Sequence, residues 1–149
     1  MIEIIPADET HASLIGNMLE QLFAEVEHHV TAEEIENLFP LFHKYEAHTA
    51  LLALDEDRGP AGVITLVESV ALFAGGKIGV INELYVVPEY RSQGVGKMLI
   101  DAAKDLARAN GWRRLEVTTP GQEFIRTRRF YEREGFMEIG PRYKCELEA

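Results

Sequence analysis

The chain has 149 residues, of which 46% are hydrophobic and 27% charged, as expected for one globular domain. Its formal net charge of −10 argues against a nucleic-acid-binding protein. No apolar run is long enough to cross a bilayer, and the N-terminus lacks the pattern of a signal peptide. The single cysteine, Cys145, cannot form an internal disulfide, so we expect a cytoplasmic protein with no membrane partner.

Periodicity and turn residues predict a strand, two helices and two antiparallel strands in the first half of the chain. In chain order these are a strand at 2–5, a helix capped by Asp8 or Thr10, a helix opening at the capping box of Thr31 and Glu34, and strands at 49–54 and 62–69. Pro40 lies inside the second helix and lacks the N–H that a helix interior requires. We therefore expect a kink or a break there.

The second half predicts two helices that alternate with strands. In chain order these are a central strand at 78–87, a helix at 94–110, a strand at 115–119, a helix at 122–134 and strands at 136–139 and 142–147. The order β-α-α-β-β-β-α-β-α-β-β describes a mixed α/β domain of the α+β type. Since no linker interrupts this order, residues 1–149 are predicted to form a single domain.

The strongest chemical signal lies where the central strand leads into the next helix. Two glycines one residue apart, Gly94 and Gly96, open that helix. Backbone N–H groups in a first helical turn lack partners within the helix, and together with the helix dipole they favour a bound phosphate. Arg91 and Lys97 would add charged contacts. These residues alone fit a phosphate site and an ordinary strand-to-helix turn about equally well.

Three sequence blocks occur together in this half of the chain. They are Glu83 to Gly96, Gly111-Trp112 followed by Leu115 to Thr118, and Phe130 to Phe136. In this combination they resemble the GCN5-related N-acetyltransferases over residues 81–136. The resemblance implies the acyl-CoA N-acyltransferase fold, with a mostly antiparallel sheet of six to seven strands and about four helices. It also implies acetyl-CoA as co-substrate, an amine as acceptor and no metal.

The resemblance further implies which residues bind coenzyme A. They are Tyr85, Val86, Val87, Arg91, Ser92, Gln93, Gly94, Val95, Gly96 and Lys97. The loop from Arg91 to Gly96 would hold the pyrophosphate. The backbone of the three strand residues would pair with the pantetheine arm as though it were an added strand, which requires the central strand to splay away from residues 115–119.

Tyr131 and Glu83 are the catalytic residues that the resemblance implies. Tyr131 matches the family's tyrosine near the coenzyme sulfur, where a hydroxyl can protonate the departing thiolate. Glu83 shares a strand face with Tyr85, and acidic residues near this place often accept the proton of the amine, directly or through water. The alternatives are a core aromatic for Tyr131 and, for Glu83, a carboxylate that only orients the substrate.

One position departs from the family pattern. Phe124 stands where an asparagine often precedes the Phe-Tyr pair, so a coenzyme contact that asparagine usually makes is left open. The residues that follow are unusually basic. Arg126, Arg128 and Arg129 are candidates to meet a coenzyme phosphate instead, the alternative being exposed helix charges.

Charge is unevenly distributed along the chain. Residues 1–43 contain nine Asp and Glu with no Lys or Arg, whereas residues 91–144 contain twelve Lys and Arg and seven Asp and Glu. The resembling enzymes receive the acceptor beside the first two helices, which here carry Glu20, Glu25, Glu27, Glu33, Glu34 and Glu36. Since a negative cleft concentrates cations, we expect a small cationic amine or a peptide amine, with solvated helix faces as the alternative reading.

Direct attack of the amine on the thioester is the expected mechanism. Cys145 has no histidine nearby in sequence that would activate it as a nucleophile, and the family resemblance also favours direct transfer. A non-catalytic acyl-CoA sensor is the main alternative, and a nucleotide-binding domain is a weaker one. A homodimer is common among similar proteins, and the oligomeric state stays open.

Overall fold

The computed structural model describes residues 1–119 and 124–147. The chain divides into two units, Met1–Val117 and Thr118–Ala149, and each is described by itself. The helices and strands are β1 (Ile2–Pro6), α1 (Ala12–Glu25), α2 (Ala32–Lys44), β2 (His48–Asp55), β3 (Gly59–Ala71), β4 (Gly76–Val86), α3 (Val95–Ala109), β5 (Leu115–Val117) and α4 (Ile125–Arg133). Within the described residues, no helix is both long and apolar enough to cross a membrane.

The first unit is built around one sheet in which the strands lie in sequence order, β1-β2-β3-β4-β5. The first three pairs are antiparallel, and β4 pairs with β5 in parallel. The parallel step is possible because α3 carries the chain from the end of β4 back to the start of β5. The predicted α+β class and mostly antiparallel sheet are therefore confirmed, and β4 does lie inside the sheet.

The number of strands differs from the prediction of six to seven. The described residues form five strands, and residues 136–139 and 142–147 are not among them. The apolar side chains that suggested strands there are strongly exposed: Met137, Ile139, Tyr143 and Leu147. An apolar alternation is only half of what a strand needs, because its N–H and C=O groups must also meet a neighbouring strand.

Helices cover both faces of the sheet, and this explains why the central strands are apolar on both faces. On one face, α1 and α2 contribute Ile15, Met18 and Phe39 to a core that includes Val63 of β3. Alternation along β3 turns its even-numbered residues to the other face, where Leu99 of α3 lies close to Gly62. Residues of β3 from both faces are fully buried, so hydrophobic burial stabilises the strand from both sides.

Helix α2 continues through Pro40 to Lys44, so the expected break is wrong. A proline leaves the carbonyl of the residue four positions earlier without its helical partner, and here that residue is Glu36. Both Pro40 and Glu36 are exposed. Water can therefore solvate this carbonyl, while Ile35 and Phe39 keep the opposite side of the helix anchored in the core.

Of the two predicted caps, the one on α2 is present, whereas α1 begins after His11 without a side-chain cap because Asp8 caps the short turn before it. The Asp8 carboxylate accepts a hydrogen bond of 2.8 Å from the N–H of Thr10, within a short 3₁₀ turn that precedes α1. The Thr31 hydroxyl accepts one of 3.1 Å from the N–H of Glu34 at the start of α2. Each cap satisfies a donor that the helical ladder leaves open.

Candidate active site

An extra residue in β4 determines where Glu83 lies. Thr65 of β3 pairs with Glu83, but its neighbour Leu66 pairs with Ile81, so Asn82 has no partner in β3. This is a β-bulge, which bends a strand and redirects the side chains on either side of it. Consequently Glu83 shares the face of Thr65, beneath α1 and α2, whereas Ile81 shares the opposite face with Leu66.

The Glu83 carboxylate is largely buried and held in one position by Thr65. The Thr65 hydroxyl donates to a Glu83 carboxylate oxygen and accepts a 3.0 Å hydrogen bond from the Glu83 N–H. Burial raises the pKa of Glu83 above its ordinary value, while the Thr65 hydrogen bond and the charge of His48 act in the opposite direction. A carboxylate with a raised pKa is a better proton acceptor than a solvated one.

The edge of β4 that faces β5 is paired over only part of its length. The described register between the two strands ends at Ile81 and Val117, while β4 continues to Val86. The family resemblance implied such a divergence between the two strands. Over residues 82–86, the described part of β5 therefore supplies no hydrogen bonds to β4.

The direction of each backbone group in this stretch follows from one hydrogen bond. The Val87 N–H donates to the Ala61 carbonyl of β3 at 2.8 Å. Because backbone groups alternate sides in an antiparallel pair, those of Tyr85 also point to β3, and those of Leu84 and Val86 point to the open edge. Of the three residues predicted to pair with pantetheine, Val86 is the one whose backbone faces that edge.

Gly94 shapes the start of α3. Its φ of +84° lies in the left-handed region, which favours glycine, and the helix begins at Val95 with no side chain capping it. An added Cβ would meet no atom of the described residues within 4 Å. The first N–H groups of α3, from Val95, Gly96 and Lys97, thus form a helix start without a side-chain cap, which is the arrangement of an anion site.

Hydrogen bonds fix the loop that leads to this helix start. The Tyr90 hydroxyl donates to the Asp55 carboxylate of β2 at 2.7 Å, and the Gln93 amide donates to the Glu89 carbonyl at 2.8 Å. Ser92 adopts a φ of +62°, unusual for a residue other than glycine. The loop is therefore held in a defined shape by contacts to β2 and within itself.

The two basic residues of the predicted phosphate site are both engaged. Lys97 forms an i, i+4 ion pair of 3.4 Å with Asp101 along α3. The Arg91 guanidinium pairs with Glu25 of α1 at 2.9 Å, and its Nε donates to the Val86 carbonyl at 2.9 Å. Both ion pairs are solvent-exposed, so a polyanionic ligand has little desolvation to overcome in replacing them.

A cavity of about 400 Å³ lies between α1 and the end of β4. Met18 and Gln21 line it from α1, and Tyr85, Val87 and Pro88 line it from the strand and loop. Its volume falls in the range of small-molecule sites. Tyr85 and Glu83 share the face of β4 on which this cavity lies.

Tyr131 belongs to the second unit, in which α4 carries it. Its side chain is 7% exposed. The rings of Phe130 and Phe136 pack edge-on against the Tyr131 ring, with centroid-to-centroid distances of 5.2 and 5.4 Å. Burial raises the pKa of the Tyr131 hydroxyl, so it stays protonated at neutral pH and can act only as a donor of its proton there. Both the aromatic packing and the retained proton are compatible with the predicted general acid.

The basic segment near Tyr131 divides into two kinds of residue. Arg128 is half-buried and forms an ion pair of 3.5 Å with Glu138, whereas Arg126 and Arg129 are exposed. Phe124 precedes α4 without providing a side-chain cap. The exposed pair is therefore better suited than Arg128 to meet an external phosphate.

Two partners of site residues were not found from the sequence, although Glu25 itself was among the acidic residues expected beside the acceptor. Thr65 had a detectable signal, because it is a hydroxyl inside an apolar run and a buried hydroxyl requires a partner. Glu25 had none, since a glutamate at the end of a helix is ordinary and its partner is 66 positions away. No group of three or more potential metal ligands of the kind His, Cys, Asp or Glu is found among residues 1–119 and 124–147.

Among the described residues, the edge of β4 that faces β5 has no partner strand over residues 82–86, and it leads into a helix that starts at a glycine without a side-chain cap. The acetyltransferase (GNAT) family model matches residues 16–136, and the chain belongs to this family. An uncharacterized N-acetyltransferase of Bacillus subtilis, YhfO, is 31% identical over 96 residues, which are 64% of this chain and 64% of that protein. The match thus spans slightly less than two thirds of that relative.

Solved structures share the fold over nearly the whole chain. A crystal structure of a probable acetyltransferase gives a TM-score of 0.86 at 21% identity and covers 99% of both chains. An aminoglycoside N-acetyltransferase in complex with CoA gives 0.83 at 16% identity, covering 100% of this chain and 96% of that one. At such identities the likeness establishes the fold and leaves the acceptor undetermined.

Proposed function

We propose that this chain transfers the acetyl group of acetyl-CoA to an amine, by direct attack of the amine on the thioester. The 149 residues would act as one domain in the cytoplasm. The observation that carries the proposal is the uncapped start of α3 at Gly94, directly beyond the open edge of β4. A diphosphate and an amide-containing arm are the two chemical groups that such neighbouring features suit.

Coenzyme A fits the residues of this site. Its pyrophosphate would lie against the first N–H groups of α3, with Arg91 and Lys97 as charged partners. Its pantetheine amides would pair with Val86 and Leu84, whose backbone groups face the open edge. When bound there, acetyl-CoA supplies an activated acetyl group to the site. The positive φ of Ser92 supports this use, because strained backbone often marks binding loops.

Glu83 is our candidate for the base that deprotonates the amine. An amine attacks only when it is neutral, and most amines are protonated at neutral pH. Glu83 is held in place by Thr65 and has a raised pKa, which suits a residue that must accept a proton directly or through one water. The bulge at Asn82 supports the assignment, since bulges are frequent beside active sites.

Tyr131 is our candidate for the acid that protonates the departing thiolate. A tyrosine in a dry aromatic setting keeps its proton until a strong base forms beside it, and a thiolate leaving an acyl group is such a base. The buried ring between Phe130 and Phe136 supports this role.

The acceptor is proposed to be a small cationic amine or a peptide amine. Among the described residues of α1 and α2, the acidic side chains outnumber the basic ones, with Lys44 as the one Lys or Arg. A surface of this sign raises the local concentration of cations. Glu83 beneath the two helices would then receive the proton of an ammonium group that this field attracts.

Two measurements, made one after the other, test the proposal. Calorimetry with coenzyme A should show binding to the purified chain, and acetyl-CoA mixed with a panel of cationic, neutral and anionic amines should release thiol with the cationic ones. No uptake of coenzyme A would refute the proposal entirely. Binding without thiol release from any amine would favour the sensor, and turnover with anionic amino acids alone would refute the assignment of acceptor charge.

A further inference from the structure

Three contacts hold the Arg91 side chain against α1 and β4. Its terminal nitrogen contacts the Glu25 carboxylate at 2.9 Å, and its Nε donates to the Val86 carbonyl at 2.9 Å. Its guanidinium carbon lies 5.3 Å from the centre of the Tyr85 ring. Arg91 therefore connects the last residue of α1 with the open edge of β4.

These contacts occupy the groups that the proposed function requires for coenzyme A. The Val86 carbonyl is an acceptor on the open edge and would receive a pantetheine N–H. The Arg91 guanidinium is the cation that would meet a phosphate. Coenzyme binding, as proposed above, thus requires Arg91 to leave both Val86 and Glu25. The energy of the Glu25 contact is then lost in the complex, which lowers the affinity.

We propose that Glu25 is a positioning residue that holds Arg91 on the Val86 carbonyl and so competes with coenzyme A for it. In the free chain the Glu25 carboxylate neutralises Arg91 and closes the edge. In the complex a phosphate takes the place of that carboxylate, and a pantetheine N–H takes the place of Nε at Val86. This inference rests on the proposed function, and it adds a residue of α1 that tunes coenzyme affinity.

The direct test is the affinity of coenzyme A for the Glu25→Gln variant, measured by calorimetry. Exposed ion pairs contribute modestly, so Kd should fall roughly two- to fivefold relative to the wild-type chain. Glu27→Gln is the matched control, because it removes the same charge two residues away and no ion pair of Glu27 is found in the described residues. The control should keep the wild-type Kd within about 1.5-fold, the spread expected of an exposed surface change.

A double-mutant cycle distinguishes competition between Glu25 and coenzyme A for Arg91 from a general structural effect of the substitution. In an Arg91→Gln background, Glu25→Gln should leave Kd unchanged, because the carboxylate no longer has a guanidinium to hold. The gain in coenzyme A affinity from Glu25→Gln in the native background should also shrink as the salt concentration is raised. Salt screens the ion pair between Glu25 and Arg91, which the wild-type chain must break on binding. A structural role of Glu25 would depend on neither Arg91 nor salt.

The outcomes separate the inference from the function on which it rests. The role of Glu25 is refuted if Glu25→Gln binds coenzyme A no more tightly than wild type, or if Glu27→Gln gains the same affinity. Either result leaves the proposed function standing. A Glu25→Gln gain that persists in the Arg91→Gln background also refutes the role of Glu25. A wild-type chain that takes up no coenzyme A refutes the proposed function, and the role of Glu25 with it.

Discussion

Replacing Gly94 by alanine should separate the stability of the chain from its affinity for coenzyme A. The residue has a φ of +84°, and a Cβ there would meet no described atom within 4 Å. The cost of the change therefore comes from backbone conformation alone, about 1–2 kcal/mol for a side chain in the left-handed region. For a chain of this length, that corresponds to a fall in Tm of roughly 2–8 °C. The new methyl group would also stand where a phosphate approaches the N–H groups of α3, so Kd for coenzyme A should rise at least about tenfold.

Gly59→Ala is the matched control for this experiment. Gly59 has a φ of +92° and equally open surroundings, but it is the first residue of β3 in the hairpin with β2. Alanine there should lower Tm by a similar amount and leave Kd for coenzyme A unchanged. Thermal unfolding and calorimetry on the two variants give both quantities. If Gly94→Ala loses only stability, as the control does, the helix start at α3 is not the phosphate site.

Three further predictions concern catalysis and packing. Glu83→Gln should lower the acetylation rate by roughly 10²- to 10⁴-fold. It should also stabilise the fold at neutral pH. The pKa of Glu83 is raised in the folded chain, so the wild type loses stability as pH rises from the ordinary value of 4.5 through the raised one. If the difference in urea midpoint between Glu83→Gln and wild type is the same at pH 4.5 and pH 7.5, this reasoning is wrong. Tyr131→Phe should lower kcat roughly 10²-fold with little change in thermal stability, and an unchanged kcat would exclude the general acid. Gly79→Ala should destabilise the chain by about 1–3 kcal/mol in urea unfolding, because its Cβ would overlap the ring of Trp112, and a wild-type midpoint would show that the ring moves freely.

The elements of the first 117 residues could be predicted from local patterns because each has a local cause. The continuous apolar run of β3, the Thr31 cap and the glycine before α3 are all contained within a few residues. The two strands predicted near the C-terminus were wrong for the same reason. Their pattern was local, whereas strand formation depends on a partner that a short window of sequence does not include.

The candidate site was predictable only where the family pattern or a simple motif covers it. The glycine loop and Glu83 lie inside the resembling blocks. The Thr65 hydrogen bond and the Glu25 ion pair join residues 18 and 66 positions apart, so no periodicity relates them. The bulge also has no sequence signal, and it decides that Val86 and Leu84, rather than Tyr85 and Val87, present backbone groups to the open edge.

Asn82 has a consequence beyond its own missing partner. Side chains alternate along a strand, so residues 81 and 83 of a regular strand would point the same way. The bulge reverses that order halfway along β4, so Ile81 shares the α3 face of the sheet with Leu66 while Glu83 shares the α1 and α2 face with Thr65. If Asn82 instead paired with Thr65 in a regular ladder, Glu83 would lie opposite Ile64, on the face that α3 covers and away from the Thr65 hydroxyl. A single extra peptide unit thus determines on which side of the sheet the Glu83 carboxylate lies.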